Sequence, residues 1–228
     1  MQHLLLLHGA IGAPIQLTPL ADKLMAKFNV FTPGFTGHGG KSFSDVPFSM
    51  ELFAEDALRF MQEKQLDKAA VFGYSMGGYV GMYLAKHYPD KIDKVITLAT
   101  KYHWDEAIAT KEIQMLNPDK IEQKIPAFAE ILRERHTPND WREVLRKTAE
   151  MMMDLGKNNT LKTEDYATLN TPSLLLLGDR DKMVSLEETL AVYKALPNAQ
   201  MSILPETPHP IEQVDNGLLS FMIERFLE

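Results

Sequence analysis

The stretch "VFGYSMGGYV", residues 71–80, decides how this chain is read. Ala69-Ala70-Val71-Phe72 is short and apolar, with Asp67 and Lys68 before it, which predicts a strand. Tyr79, Met82, Tyr83 and Lys86 then recur at helical spacing, and Pro89 lies beyond the end. Gly73-Tyr74-Ser75-Met76-Gly77 therefore falls where a strand turns sharply into a helix. A G-x-S-x-G pattern in that context strains the serine backbone and lifts its hydroxyl clear of the sheet. The N–H of Met76 then points into the same space at a helix N-terminus, where negative charge is favoured. The alternative is a glycine-rich turn with an idle serine. A serine nucleophile also needs a base, a group that orients the base, and an oxyanion site.

The strand pattern extends outward on both sides. Strands are expected at His3–Leu7, Val30–Thr32, Ala69–Phe72, Lys94–Ala99, Ser173–Leu177 and Gln200–Leu204. Helices are expected between them, at Pro14–Phe28, Ser49–Gln65, Met76–Tyr88, Leu186–Leu196 and Ile211–Leu227. This alternation predicts an α/β fold: a mostly parallel sheet with helices on both faces, and ligands at the carboxyl ends of the strands. Residues 101–168 break the alternation. Helical patterns near Asp105–Leu116, Pro118–His136 and Pro138–Leu155 fill them, with Thr137-Pro138 as a helix start and Gly156 as a helix stop. About sixty residues is long for one crossover, so this segment reads as a helical lid inserted into a core of residues 1–100 and 169–228.

The partners of Ser75 are sought at other strand ends. His8-Gly9-Ala10-Ile11-Gly12 closes the first strand. Its glycines let the loop turn at once and leave backbone N–H groups free. The Ala10 N–H is the natural second oxyanion donor beside that of Met76, ahead of Ile11. His8 reads as a residue that holds the loop. Asp179 and Asp181 follow another strand in "LLLLGDRDKMV", and either carboxylate could orient a histidine or cap a turn. His209, between Pro208 and Pro210 in "ETPHPIEQV", is a plausible base in a restricted loop.

Bulk composition excludes several classes. The formal charge of 24 − 31 = −7 argues against nucleic-acid and anionic-membrane partners. The chain has no cysteine, which removes disulfides, thiolate metal sites and cysteine nucleophiles. The N-terminal "MQHLLLLHGA" lacks a basic leader and is cut short by His8, so a signal peptide is not expected. No run approaches the ~18 apolar residues of a membrane span. A cytoplasmic protein is expected, acting on a small molecule and able to form a homo-oligomer.

The chain resembles the α/β-hydrolase superfamily over nearly its whole length. The resemblance rests on the HG-x-x-G loop from His8 to Gly12, G-H-G at Gly37–Gly39, G-Y-S-M-G-G, "YPDKIDKVITL", G-x-x-D at Gly178–Asp181, and the late histidine. It implies Ser75 as nucleophile, Asp181 as acid, His209 as base, Ala10 and Met76 as oxyanion donors, and no metal or organic cofactor. The chain departs from the family pattern in opening directly on the strand with the HG loop. It also carries Gly34 where relatives often have Asp, with one extra residue before Ser42. The expected activity is cleavage of a carboxylic ester, thioester or lactone. The alternative is C–C cleavage, lyase or haloperoxidase chemistry on the same triad, or a ligand-binding module. Ile11, Trp104, Met115 and Met152 are candidate substrate contacts, since methionine surfaces adapt to varied ligands. Packing between lid and body is the competing role for them and for Trp141. Arg133, Arg135 and His136 suit a substrate carboxylate or a solvated helix face.

Overall fold

The computed structural model describes residues 1–228. Six strands form one sheet: β1 (His3–Leu7), β2 (Asn29–Phe31), β3 (Ala69–Tyr74), β4 (Ile92–Leu98), β5 (Ser173–Gly178) and β6 (Ala199–Leu204). All neighbours run parallel, in the order β2-β1-β3-β4-β5-β6. The order reverses direction beside β1, so the crevice at the carboxyl ends of β1 and β3 is where such a sheet offers a site.

Parallel strands buried on both faces read as unbroken apolar runs, and β1, β3 and β5 do so. Their alternate side chains enter different cores. Leu5, Leu7 and Val71 pack with α2 (Met50–Glu63), α3 (Met76–His87) and, further along the sheet, α9 (Leu186–Ala195). Leu4, Leu6 and Phe72 pack with α1 (Thr18–Leu24) and α10 (Asn216–Leu227) on the other face. Removing one of these leucines to alanine is the kind of change that costs about 2–5 kcal/mol.

Between β4 and β5 lie α4 (Glu106–Glu112), α5 (Pro118–Lys124), α6 (Pro126–His136), α7 (Trp141–Lys157) and α8 (Thr163–Ala167). Part of this segment has its own small core of Ile121, Ala129, Leu132, Trp141 and Leu145. Trp141 is thus a packing residue. The α7 residues Val144, Met151 and Leu155 instead join the core under the sheet.

Helix ends differ from expectation in five places. The run 14–28 divides into a 3-10 turn at Pro14–Leu17 and α1, and 211–227 divides into Ile211–Gln213 and α10. The run 118–136 breaks at Ile125, because Pro126 supplies no N–H to α5 and can only open the next helix. Thr137 closes α6 rather than capping α7, its N–H and hydroxyl both donating to the Arg133 carbonyl. Asp140 caps α7 instead, accepting from the Arg142 N–H at 2.9 Å. Gly156 lies inside α7. A Cβ there would stand 2.7 Å from the Ala109 Cβ, so the glycine serves the close approach of α4 and α7 rather than a helix stop.

Candidate active site

Ser75 sits between β3 and α3 at φ 52° and ψ −116°, a conformation costly for a residue with a side chain. Its own backbone holds it there: the Ser75 N–H donates to the Leu98 carbonyl at 2.8 Å, and its carbonyl accepts from the Thr100 hydroxyl at 3.0 Å. The flanking glycines are required by contact. A Cβ on Gly73 would lie 2.2 Å from the Gly77 carbonyl oxygen, and one on Gly77 would lie 2.3 Å from that of Leu7. Strand, elbow and helix can be this close only with hydrogen at both positions. Met76 opens α3, so its N–H is one of the helix's unpaired donors.

The other groups arrive from three further strand ends. After β1, Ile11 takes φ 51° in the loop that carries Ala10. His8 is buried at the base of this loop. One ring nitrogen donates to the Gly9 carbonyl at 2.9 Å, and the other accepts from the Phe35 N–H at 3.4 Å. Burial pulls its pKa down to about 4, so it is neutral and structural, as expected. After β5, Asp181 is almost wholly enclosed. One carboxylate oxygen accepts from the N–H groups of Met183 (2.8 Å) and Val184 (2.9 Å). The other accepts from His209 Nδ1 at 2.8 Å. Burial alone would raise the Asp181 pKa, but the bond and charge of His209 and the two backbone donors outweigh it and hold it below the usual value. Asp179 takes the other role considered for it: its carboxylate accepts from the Thr207 N–H at 3.1 Å and ties the β5 loop to the loop before His209.

Ser75 and His209 line one cavity of about 330 Å³, together with Ala10, Ile11, Met115 and Met152. No hydrogen bond joins the Ser75 hydroxyl to His209. Met76 and Trp104 line a smaller cavity of about 40 Å³ on the other side of Ser75, with Ala10 and Met152 shared between the two. Ser75, His209, Ala10, Ile11, Met115 and Met152 thus line the larger cavity, Met76 and Trp104 the smaller one, and Asp181 lies directly behind His209. Of the three consecutive methionines at 151–153, Met151 and Met152 reach the cavities. Met153 packs against the core.

The three basic residues of α6 separate. Arg133 is exposed and pairs with Glu130 and Glu122. Arg135 lines the larger cavity with its side chain only 10% exposed, bonded to Glu212 at 3.2 Å. His136 is fully buried, donating to the Ile11 carbonyl at 3.0 Å and accepting from the Gly39 N–H at 3.1 Å. The sequence did not single out Gln16, Glu112 and Lys101, which also line the two cavities. Phe128 and Arg135 at i and i+7 share the cavity face of α6, and that spacing is the signal that was available. A larger hollow of about 590 Å³, lined by Tyr102, Tyr166 and Glu188, includes neither Ser75 nor His209. No group of three or more His, Asp or Glu is placed to hold a metal ion. No helix is long and apolar enough to cross a membrane.

The parallel sheet, the strained serine elbow and the late histidine define a class, and comparison with known proteins agrees. Residues 2–142 match the alpha/beta hydrolase fold family, and the chain belongs to it. A Synechocystis sp. protein, provisionally named a non-heme chloroperoxidase, is 25% identical over 234 residues, covering 87% of this chain and 83% of its own. Among solved structures, the 2-hydroxy-6-oxo-6-phenylhexa-2,4-dienoate hydrolase of Rhodococcus sp. strain RHA1 superposes with a TM-score of 0.81. It is 20% identical, over 99% of this chain and 90% of the other. A thermophilic esterase from Thermogutta terrifontis gives 0.76 at 24% identity, over 100% and 89%. At these identities the structural likeness speaks for the fold.

Proposed function

We propose that this protein is a serine hydrolase that cleaves an ester-type bond of a small, partly apolar substrate through an acyl-enzyme on Ser75. The observation that carries the reading is the strained Ser75, in one cavity with a His209 bonded at 2.8 Å to the enclosed, ionised Asp181. With Nδ1–H committed to Asp181, His209 keeps its lone pair on Nε2, the nitrogen free to accept the serine proton. Ser75 Oγ then attacks the acyl carbon. The Ala10 and Met76 N–H groups receive the negative charge that develops on the carbonyl oxygen. Collapse of the intermediate breaks the bond to the leaving group, which takes its proton from His209. Water, deprotonated by the same ring, releases the acid and restores Ser75. The helices of residues 101–168 act as a lid that supplies Met115, Met152 and Trp104 to the substrate walls.

The test is covalent. An organophosphonate probe is expected to label Ser75, and Ser75→Ala should abolish both labelling and ester turnover. Label on another serine overturns the assignment. The name of the Synechocystis relative motivates a second reading, halogenation chemistry at the same groups. Halide- and peroxide-dependent turnover exceeding that on any ester would favour it.

A further inference from the structure

The two cavities beside Ser75 differ in which reacting groups they contain. Resting on the serine-hydrolase reading above, that difference identifies which half of the substrate each one takes. His209 must protonate the leaving group as the first intermediate collapses, so the leaving group has to lie on the histidine side. His209 lines the larger cavity only. Met76, the donor at the helix N-terminus, lines the smaller one only, while Ser75 and Ala10 border both. The reacting carbonyl thus straddles the boundary, with its acyl substituent directed into the small cavity and its leaving group into the large one.

We infer that the preferred substrates join a short, apolar acyl group to a bulky, amphipathic leaving group. The small cavity of about 40 Å³ holds roughly three water-sized atoms, counting about 10–15 Å³ for each. That admits the carbons of an acetyl to butyryl group beyond the carbonyl. Its walls are largely apolar. Met50, Tyr79, Met151 and Trp104 are buried in the main core. Lys101 borders it, but its ammonium is directed away. It donates to the Met183 carbonyl at 2.7 Å and lies 3.6 Å from Glu112 and 4.0 Å from Glu188. No free cation remains to hold a charged acyl chain. The larger cavity has about eight times the volume; Met115, Leu116, Phe128 and Met152 make most of its wall apolar, and Gln16, Arg135 and Glu212 add one polar edge, which suits a large leaving group with both apolar and hydrogen-bonding parts.

The experiment crosses acyl length with leaving-group size in the intact protein. With p-nitrophenol as common leaving group, kcat/KM should fall by about tenfold or more from butanoate to octanoate, the direction in which added methylenes have no room. Acetates of bulky alcohols should be cleaved, and methyl octanoate should not. Met152→Ala and Trp104→Ala, each checked by phosphonate labelling of Ser75, should lengthen the preferred acyl chain by two carbons or more. Octanoate cleaved as well as butanoate, or methyl octanoate preferred over bulky acetates, overturns the assignment of the cavities while leaving the hydrolase reading intact. Absence of phosphonate labelling at Ser75 in the parent overturns that reading and the inference with it. If either variant is labelled yet keeps the parental chain preference, the small cavity is not the acyl site.

Discussion

The loop after β5 and the loop after β1 both present groups to Ser75, but they are held by different parts of the chain. The β5 loop is braced by its neighbours. Asp181 binds Met183 and Val184 two and three residues on, Asp179 binds Thr207, and the Arg180 N–H donates to the Thr207 carbonyl at 3.2 Å. The β1 loop, with Ile11 at φ 51°, is braced from far away. The Ile11 carbonyl accepts from Arg135 at 3.2 Å and His136 at 3.0 Å, both on α6 of the helical insertion. Asp181 is thus fixed within the sheet domain, whereas the β1 loop takes part of its support from the insertion. The two supports should fail separately when mutated.

The largest effect expected is at Asp181. An amide there presents the wrong polarity to His209 Nδ1–H or to the two backbone donors, while its volume is unchanged. Asp181→Asn should cost on the order of 10²–10⁴ in turnover, scaled from the serine-protease triad whose acid has been so altered. Asp179→Asn should cost far less, since it loses only a charge-assisted bond to one backbone N–H. Both are measured on one ester after their melting temperatures are matched to the parent. A greater loss at Asp179 would exchange the two roles.

Next comes the brace on the β1 loop. His136→Leu removes the donor to Ile11 and the acceptor for Gly39 while keeping the site apolar. Displacing the Ala10 N–H by a fraction of an ångström should lower kcat by about ten- to a hundredfold. KM for a short ester should change little, because the ester's ground state gains little from that donor. His136→Gln, which can both donate and accept, should recover part of the loss. Equal falls in kcat and in melting temperature with no rescue would mean that His136 only packs.

This contrast also explains what the sequence revealed. The elbow, the G-x-x-D loop and His209 are local motifs, because strand, turn and ligand lie within a few residues and the chemistry restricts each position. The sheet was legible for a similar reason: strands buried on both faces admit little besides Leu, Val, Ala and Phe. The work of Arg135 and His136 was hidden. Their partner, Ile11, is 124 and 125 residues away, and it offers a backbone carbonyl that no side-chain pattern records. The start of α7 was misplaced because Thr137-Pro138 fits a helix start locally, while the tertiary turn uses Thr137 to finish α6 and Asp140 to begin α7.

Acid should separate the two loops as well. Burial, as the main cause, holds His8 and His136 at about pKa 4, and His38 well below its usual value, and all three sit around the β1 loop. An unfolded histidine titrates near ~6.5. Between those values the unfolded chain binds protons that the folded chain does not, so stability is full above about pH 6.5 and falls as pH drops towards 4. Asp181 contributes in a lower window, below the ordinary aspartate value, because its own pKa is depressed. Melting temperature should therefore decline from pH 7 to pH 5, and His38→Gln should flatten the decline. A parent melting curve independent of pH over that range would mean that these rings are not held neutral.

The smallest effects should distinguish neighbours on α6. Arg133 and Arg135 are two residues apart, but only one reaches the site. Arg133 lies on the exposed face, with its partners Glu130 exposed and Glu122 half-exposed, so Arg133→Ala should leave turnover and melting temperature at the parental values. Arg135 is one of two donors to the Ile11 carbonyl, and His136 remains when it is removed. Arg135→Met keeps the length of the side chain along the cavity wall and removes the charge. Glu212 would retain Gln16, which donates to it at 2.6 Å. Turnover on a short ester should then fall only a few-fold, about the value of one modest hydrogen bond. The informative measurement is the double variant Arg135→Met/His136→Leu. If both side chains act on the same carbonyl, its loss should exceed the product of the single losses, since the loop then has no donor from the insertion. A strictly multiplicative result would mean that the two residues act independently, and that the β1 loop does not rest on a brace they share.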